Sequence, residues 1–219
     1  MKVEEIKSVV DDIPMMTVEQ AQKITSFIQS KNLKNLLELG FYHGVSSCYL
    51  AGALDEMKDG HLTTIDLKNA KNREPNIEEL LKKLGLSSYV TIYYEPTSYN
   101  WRLMKLMEEH SQPIFDFCYI DGGHDWYNTG FAFLLVDKLL KPGGWVLFDD
   151  LYWTYATSEG LKNTPMVKRM PSEERETPQV KKVFDLLVKT HHKYHNFIEE
   201  GNWAYTQKKK SFWDRFLTR

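Results

Sequence analysis

The sequence predicts an α/β fold in which a doubly wound, mainly parallel sheet carries helices on both faces. Strand-like apolar runs alternate with segments whose apolar residues recur at helical spacing, as in repeated β-α units. The runs end in a glycine or an acid, where an open α/β sheet places its ligands. A last pair of strand-like segments flanks Gly201 and Asn202, which predicts a hairpin and one antiparallel edge strand.

The individual elements are predicted in chain order from their composition and boundary residues. A first helix covers residues 17–30, where Thr17 can cap the apolar repeat. Strands rich in apolar, β-branched or aromatic residues cover 33–40, 61–66, 89–95, 113–120 and 144–148. Helices between and after them cover 45–57, 76–84, 98–110, 126–140 and 178–190.

Composition narrows the class of protein. The chain has 219 residues and a formal net charge of −2, which predicts one globular domain and gives no general electrostatic grip on nucleic acid. The two cysteines, Cys48 and Cys118, lie in apolar surroundings and are expected to be reduced thiols in the core. The charged N-terminus does not resemble a signal peptide, and a membrane-spanning apolar run is lacking. We expect a soluble, cytoplasmic protein.

Four segments are predicted along the chain. Residues 1–32 form an N-terminal helical extension, and residues 33–207 form the main domain. Within the main domain, residues 151–177 form a long aromatic, proline-containing connection, and such a loop in a compact domain is usually functional, so we expect a substrate lid. Residues 208–219 form a basic and aromatic tail that could contact another subunit, dock as a terminal helix or lie on a membrane surface.

The first strand ends in a glycine turn that is suited to a ligand. Gly40 and Gly44 flank three residues before a helix, and glycines permit a tight turn with close backbone approach. Asp66 ends the next strand, where a carboxylate can accept both hydroxyls of a ribose. An isolated aspartate there could instead cap a turn. The pairing of glycine turn and acid favours a cofactor that contains a nucleoside.

Three carboxylates are predicted to meet at the ends of two neighbouring strands. Asp121 ends the fourth strand, and Asp149 and Asp150 end the fifth. Neighbouring strands lie about 4.8 Å apart, so these groups would repel one another unless a cation lies between them. A hard divalent ion such as Mg²⁺ fits oxygen ligands of this kind. The alternative is that Asp149 and Asp150 cap a loop while Asp121 binds the cofactor.

His124 follows Asp121 in the stretch YIDGGHDWY, beside the predicted carboxylate cluster. An imidazole can accept a proton near neutral pH, which makes His124 a candidate catalytic base. It could also be a hydrogen-bonding residue of the loop, or a metal ligand. Aromatic residues nearby suit a sugar ring or a flat phenol equally, and these substrate candidates are Trp126, Tyr127, Tyr152, Trp153 and Tyr155.

Four sequence blocks resemble the class I S-adenosylmethionine-dependent methyltransferases. They are ELGFYHGVSS, TIDL, YIDGGHDWY and LLKPGGWVLFDDL, in the order of that family. The last two blocks resemble more narrowly the metal-dependent branch that includes the catechol, caffeoyl-CoA and macrolide-sugar O-methyltransferases. The resemblance implies a Rossmann-like, seven-stranded sheet whose last strand is antiparallel, with S-adenosyl-L-methionine as the cofactor.

The resemblance also implies roles for residues of the cofactor site. Glu38 and Gly40 match the turn that binds the methionine end, and Gly44 matches its second glycine. Asp66 matches the acid that binds the ribose. Thr97 and Ser98 match positions beside the adenine, although EPTS departs from the commoner pattern there.

For the reaction, the resemblance implies that Asp121, Asp149 and Asp150 ligate Mg²⁺ or another divalent cation, with Asp121 also near the cofactor. His124 matches the base position, which is a histidine in the macrolide-sugar enzymes and a lysine in the catechol type. The expected reaction is O-methylation of a hydroxyl on a small molecule or a sugar, by an enzyme that could be a homo-oligomer.

Three other functions stay open at this point. A metal-independent N- or O-methyltransferase is the main alternative. A nicotinamide-dependent oxidoreductase is less compatible, because the G-x-G-x-x-G fingerprint is missing and a second acidic site is present. A non-catalytic binding protein is disfavoured by the intact glycine turn and carboxylates.

Overall fold

One sheet organises the computed structural model, which describes residues 1–13 and 15–210. Its strands are β1 (Asn35–Leu39), β2 (His61–Leu67), β3 (Val90–Glu95), β4 (Phe115–Ile120), β5 (Leu140–Phe148), β6 (Tyr194–Glu200) and β7 (Trp203–Lys208). These seven strands are ordered β3-β2-β1-β4-β5-β7-β6. Strands β1 to β5 are parallel, and β7 is antiparallel to β5 and β6. The predicted fold class is confirmed, with the reversed strand β7 lying next to the edge strand β6.

Helices precede the sheet and connect its strands. They are α1 (Val3–Val10), α2 (Val18–Lys31), α3 (Val45–Met57), α4 (Ile77–Leu84), α5 (Tyr99–Glu109), α6 (Trp126–Leu139), α7 (Pro165–Arg169), α8 (Ser172–Glu176) and α9 (Gln179–Val183). Short 3₁₀ turns cover Lys68–Asn72 and Ser87–Tyr89, and α9 continues as a π-helical turn over Phe184–Val188. Thr17 caps α2 as predicted, because its side chain accepts a hydrogen bond from the Gln20 amide.

The largest differences from the predicted boundaries are in two elements. β5 begins at Leu140, whereas the sequence predicted a start at residue 144, because Leu140 already pairs with Phe115 of β4. The helix predicted over 178–190 is α-helical only in its first part and then widens into the π turn. Both ends of that turn, Phe184 and Val188, are buried in the core.

The sheet is buried on both faces, and the alternation along β1 shows how. Leu37 and Leu39 pack into a cluster with apolar residues of α5, α6 and α9. Leu36 points to the opposite face and packs into a cluster with residues of α2 and α3. Because side chains alternate along a strand, one run of apolar residues fills both layers.

β1 lies between β2 and β4, so the chain order reverses direction between β1 and β4. This is the topological switch point, and ligands of doubly wound sheets bind there, beyond the carboxyl ends of the strands. The two cysteines, Cys48 and Cys118, are buried and unpaired, as predicted. Among the helices that the structure describes, none is both long enough and apolar enough to cross a membrane.

The N-terminal and C-terminal segments differ in how far they can be described. The predicted extension contains α1 and α2. Of the predicted tail, Lys208 is the last residue of β7, and its buried ammonium group donates a hydrogen bond of 2.8 Å to the Leu140 carbonyl. Residues 211–219 of that tail lie outside the described residues.

Candidate functional site

A cavity of about 520 Å³ opens at the carboxyl ends of β1, β2, β4 and β5. The predicted site residues that line it are Gly40, Asp66, Thr97, Ser98, Asp121, His124, Asp149 and Asp150. The fold therefore brings the two predicted halves, the glycine turn with its acid and the carboxylate cluster with its histidine, to the walls of one cavity.

Gly40 stands where β1 and β4 end side by side. Its φ is +87°, in the left-handed region, and a Cβ on it would lie 2.4 Å from the Asp121 carbonyl oxygen. A second backbone contact joins the same strand ends, because the Asp121 amide donates to the Leu39 carbonyl at 2.9 Å. Only glycine satisfies both the backbone angle and the space at this position.

Gly44 has a different role from Gly40. Its φ is +94°, and it is the residue before the first turn of α3. A Cβ there would lie 2.5 Å from the side chain of Ile77, the first residue of α4. The second glycine of the turn therefore lets two helices approach closely.

Asp66 supports the glycine turn and also faces the cavity. Its Oδ2 accepts hydrogen bonds from the amides of Phe41 at 2.9 Å and Tyr42 at 2.7 Å, and its Oδ1 accepts from the Leu67 amide at 2.6 Å. A carboxylate offers about four lone-pair positions. Asp66 can therefore cap the turn and still accept hydrogen bonds from a ligand, so the two roles predicted for it are compatible.

Glu38 is fully buried beneath the turn. Its Oε2 accepts hydrogen bonds from the hydroxyls of Ser47 and, at 2.6 Å, Thr64. Its Oε1 has no hydrogen-bond partner among the described residues. Burial raises the pKa of Glu38 to about 7, and hydrogen bonds from serine and threonine side chains act in the opposite direction. Glu38 thus supports the turn from behind.

The loop after β4 is held from several sides. A Cβ on Gly122 would lie 2.2 Å from the ring of Tyr99, and the Gly123 amide donates to the Tyr99 hydroxyl at 3.3 Å. The Thr129 hydroxyl donates to the Gly123 carbonyl at 2.5 Å, and Asp125 caps α6. These contacts determine where Asp121 and His124, which flank the two glycines, can place their side chains.

The structure brings Asp121, His124 and Asp150 together at the edge of the cavity. One ligand atom from each lies within 4.8 Å of the others, and Nε2 of His124 is 3.4 Å from Oδ2 of Asp150. Burial and the nearby charges of Asp149 and Asp150 raise the pKa of Asp121 well above its usual value. This cluster concentrates negative charge that a cation would stabilise.

Asp149 is oriented differently from its neighbour. Its Oδ2 accepts a hydrogen bond from the hydroxyl of Tyr119, and its Oδ1 accepts from the Asp150 amide at 2.6 Å. Burial raises the pKa of Asp149 as well. Asp149 lines the cavity, but both of its oxygens are engaged with protein groups in this arrangement.

The donor set fits a divalent cation. Two carboxylates and an imidazole converge, and such oxygen and nitrogen ligands suit Mg²⁺, Mn²⁺ or a related ion. Asp121 and Asp150 belong both to this cluster and to the predicted ligand set. His124 supplies the third converging atom in this geometry, whereas the sequence prediction named Asp149, which lines the same cavity, as the third ligand.

The predicted adenine-side residues lie at the start of α5. Thr97 and Ser98 both line the cavity, and the Ser98 hydroxyl also caps α5 by accepting from the Asn100 amide at 3.1 Å. A side chain that caps a helix has a defined direction, so Ser98 is a well-ordered part of the wall.

The aromatic substrate candidates occupy three different places. Trp153 packs on His124, with ring centroids 4.9 Å apart, and Tyr155 packs on Trp153 at the same distance. Trp126 and Tyr127 line two other cavities, of about 450 and 500 Å³, against α6, α8 and α9. Tyr152 is 54% exposed and directs its hydroxyl towards Glu199 of β6.

Several cavity residues were not predicted from the sequence. Tyr42 has a φ of +51°, and the guanidinium of Arg73 lies 3.3 Å from the centre of its ring. Asn202, in the turn between β6 and β7, lies beside Asp150. The other unpredicted wall residues include Met15, Met16, Gln20, Ser46, Tyr99 and Asn128. Tyr42 lies inside the predicted glycine turn. For Asn202 the sequence predicted a place in a hairpin turn but gave no indication that this turn reaches the cavity.

Comparison with solved structures identifies chains of the same fold. The O-methyltransferase TomG from Streptomyces achromogenes, solved with SAM, superposes with a TM-score of 0.68 over 94% of this chain and 89% of that chain, at 16% identity. An O-methyltransferase from Bacillus cereus, solved with SAH, has a TM-score of 0.67 over 94% of this chain and 90% of that chain, at 19% identity. At these identities the likeness shows a shared fold.

Sequence comparison identifies relatives in the same region. A Dictyostelium discoideum protein named "Probable caffeoyl-CoA O-methyltransferase 3" is 29% identical over 63% of this chain and 52% of its own length. "Caffeoyl-CoA O-methyltransferase 1" of Eucalyptus globulus is 28% identical over 65% of this chain and 54% of its own length. The match thus spans about half the length of these relatives. Residues 37–151, more than half of the chain, match the family model described as "Methyltransferase domain". The chain therefore belongs to this methyltransferase family, as its motifs predicted.

Proposed function

We propose that this protein is an S-adenosyl-L-methionine-dependent O-methyltransferase that acts on a hydroxyl of a small molecule or sugar with the help of a divalent cation, Mg²⁺ in the first instance. One observation carries the proposal. A single cavity joins the Gly40 turn and Asp66 to the cluster of Asp121, His124 and Asp150. The names of the relatives, caffeoyl-CoA O-methyltransferases, support O-methylation.

The cofactor half of the cavity has the chemistry that the proposal needs. Asp66 would accept hydrogen bonds from the ribose hydroxyls, and Gly40 would let the methionine end approach the backbone. Glu38 supports this turn from below through Ser47 on α3. Thr97 and Ser98 would lie beside the adenine.

The acceptor half would hold and activate a hydroxyl. Asp121 and Asp150 would hold the cation, with Asp149 as the third ligand after it turns from Tyr119, which would leave Nε2 of His124 free to face the acceptor. A bound divalent cation would supply Lewis-acid chemistry that lowers the pKa of the acceptor hydroxyl. We assign His124 as the base because its Nε2 faces the same edge of the cavity.

The proposed reaction is a direct displacement. The acceptor oxygen would form a bond to the methyl carbon as the bond from that carbon to the sulfonium sulfur breaks, and the hydroxyl proton would pass to Nε2 of His124. The products are a methyl ether and S-adenosylhomocysteine. The protein contributes by holding the acceptor oxygen and the methyl carbon in line, which removes much of the entropic cost of the reaction.

The segment of residues 151–177 would cover the proposed acceptor site. It follows Asp150 directly and supplies Trp153, which packs on His124, and Tyr155, which packs on Trp153. A hydrogen bond of 2.9 Å from the Ala156 amide to the Arg175 carbonyl closes the segment on itself. We propose that it is the lid over the acceptor.

Calorimetric titration with S-adenosylmethionine, in Mg²⁺ and in chelator, tests the cofactor half. We expect binding in both conditions, and we expect Asp66→Asn to weaken it about 10-fold or more, since a charged hydrogen-bond acceptor is lost. Asp59→Asn is the matched control, because Asp59 pairs with Lys34 away from the cavity. Equal affinity of the Asp66 variant and the wild type would contradict the assignment of the ribose site.

A screen of acceptors by mass spectrometry tests the reaction. Sugars, phenols and amines are incubated with S-adenosylmethionine, and gain of one methyl group identifies the acceptor. Turnover that stops in chelator and returns with Mg²⁺ supports the proposal. Turnover of an amine at equal rates with and without chelator would favour the metal-independent alternative.

A further inference from the structure

The turn between β6 and β7 lies against the residues that follow β5. The side-chain amide of Asn202 donates to Oδ1 of Asp150 at 2.8 Å, and its carbonyl oxygen accepts from the Tyr152 amide at 2.9 Å. The backbone carbonyl of Asn202 accepts from the Leu151 amide at 2.9 Å. One residue, 52 positions away in sequence from Asp150, thus contacts three consecutive residues of the site.

Asp150 needs such support because of its backbone. Its φ is +54°, in the left-handed region, which is costly for a residue other than glycine unless its surroundings maintain it. With Oδ1 held by Asn202, Oδ2 faces Nε2 of His124 at 3.4 Å. The amide of Asn202 therefore holds the carboxylate in the orientation that points one oxygen into the cluster.

We propose that Asn202 is a positioning residue that orients the carboxylate of Asp150 for a divalent cation. The inference rests on the proposed function, since it assumes that Asp150 is a metal ligand. Hydrogen bonds from outer groups to ligating carboxylates commonly tune metal affinity. Asparagine fits this position because one short side chain must donate to a carboxylate and accept from an amide at once.

The residue after Asn202 anchors the turn by packing into the core. Trp203, the next residue, is buried, and its ring packs edge-on to Tyr119 at a centroid distance of 6.3 Å. Tyr119 in turn donates to Asp149. The same turn therefore contacts Asp150 directly through Asn202 and supports Asp149 indirectly through Trp203.

Calorimetric titration with Mn²⁺, without any acceptor, tests the inference in the full chain. We expect Asn202→Ala to weaken Mn²⁺ binding about 10- to 100-fold, the usual effect of removing an outer partner of a metal ligand. We expect S-adenosylmethionine affinity in chelator to be unchanged. Asn35→Ala is the matched control, because it removes an asparagine-to-aspartate hydrogen bond of 3.0 Å, to Asp116, away from the cavity.

A second variant tests the same bond with a milder change. Asn202→Ser keeps a small polar side chain in the turn but is too short to donate to Asp150, so we expect the same loss of Mn²⁺ affinity. Wild-type Mn²⁺ affinity in either folded variant would overturn the inference, as would equal losses of Mn²⁺ and S-adenosylmethionine binding. Failure of the wild type itself to bind Mn²⁺ would refute the metal part of the proposed function as well.

Discussion

The hydroxyl of Tyr119 donates a hydrogen bond to Oδ2 of Asp149 across the paired strands β4 and β5. Tyr119 is fully buried, and burial together with the charges of Asp121 and Asp149 raises its pKa well above the usual value. The tyrosine therefore stays protonated and remains a donor. Its hydroxyl would compete with a cation for the same carboxylate oxygen if Asp149 is a metal ligand, as proposed above.

Replacing Tyr119 with Phe should free Asp149. We expect tighter Mn²⁺ binding, because the competing donor is lost, and a free energy of unfolding lower by about 1–3 kcal/mol, because a buried acceptor is left unpaired. Calorimetry and urea unfolding measure the two effects. Tyr194→Phe is the matched control, since it removes a tyrosine bond to Asp137 away from the cavity. Unchanged or weaker Mn²⁺ binding would exclude Asp149 as the third ligand.

Replacing Gly40 with Ala should disrupt the junction of β1 and β4. The new Cβ would meet the Asp121 carbonyl oxygen at 2.4 Å, and the φ of +87° is strained for alanine. We expect a loss of about 2–4 kcal/mol in the free energy of unfolding and a large loss of S-adenosylmethionine affinity. Gly160→Ala, at a position with open space, should be neutral in both measurements. A Gly40 variant that binds normally would contradict the close approach.

Replacing Glu38 with Gln should remove a pH dependence of stability. The folded-state pKa of about 7 lies above the ordinary value of 4.5, so the folded protein binds more protons between these values. Wild-type stability from this group therefore falls as pH rises from about 4.5 to 7. We expect the variant's relative stability to grow across that window, by up to about 3 kcal/mol above pH 7. Urea unfolding at several pH values checks this, and a difference independent of pH would contradict it.

Replacing His124 with Asn separates a base from a metal ligand. As a base, its loss should reduce turnover of the acceptor found in the screen by about 100-fold or more. We expect Mn²⁺ and S-adenosylmethionine affinities to stay near those of the wild type, because the carboxylates remain. Turnover is followed by mass spectrometry and affinity by calorimetry. A parallel fall in Mn²⁺ affinity would instead assign His124 as the third ligand.

The sheet and the location of the cavity could be predicted because their determinants are local in sequence. Apolar residues of β1 alternate between two buried faces, so a continuous apolar run indicates a strand inside a covered sheet. Gly40 and Asp66 end such runs, and parallel strands bring their carboxyl ends to one edge. Strand periodicity and the chemistry of the turns therefore determined the fold class and the glycine and acidic residues that the strand ends contribute to the cavity wall.

Tertiary structure alone decided how the acidic cluster is arranged. The sequence could not show that Asp149 turns to Tyr119, that Asp150 is held by Asn202, or that Trp126 and Tyr127 line separate cavities. Each of these depends on contacts between residues far apart in the chain, and the direction of a side chain follows from the neighbours that packing supplies. The sequence thus determines which residue types stand at the strand ends, whereas packing of the sheet determines the direction in which each carboxylate points.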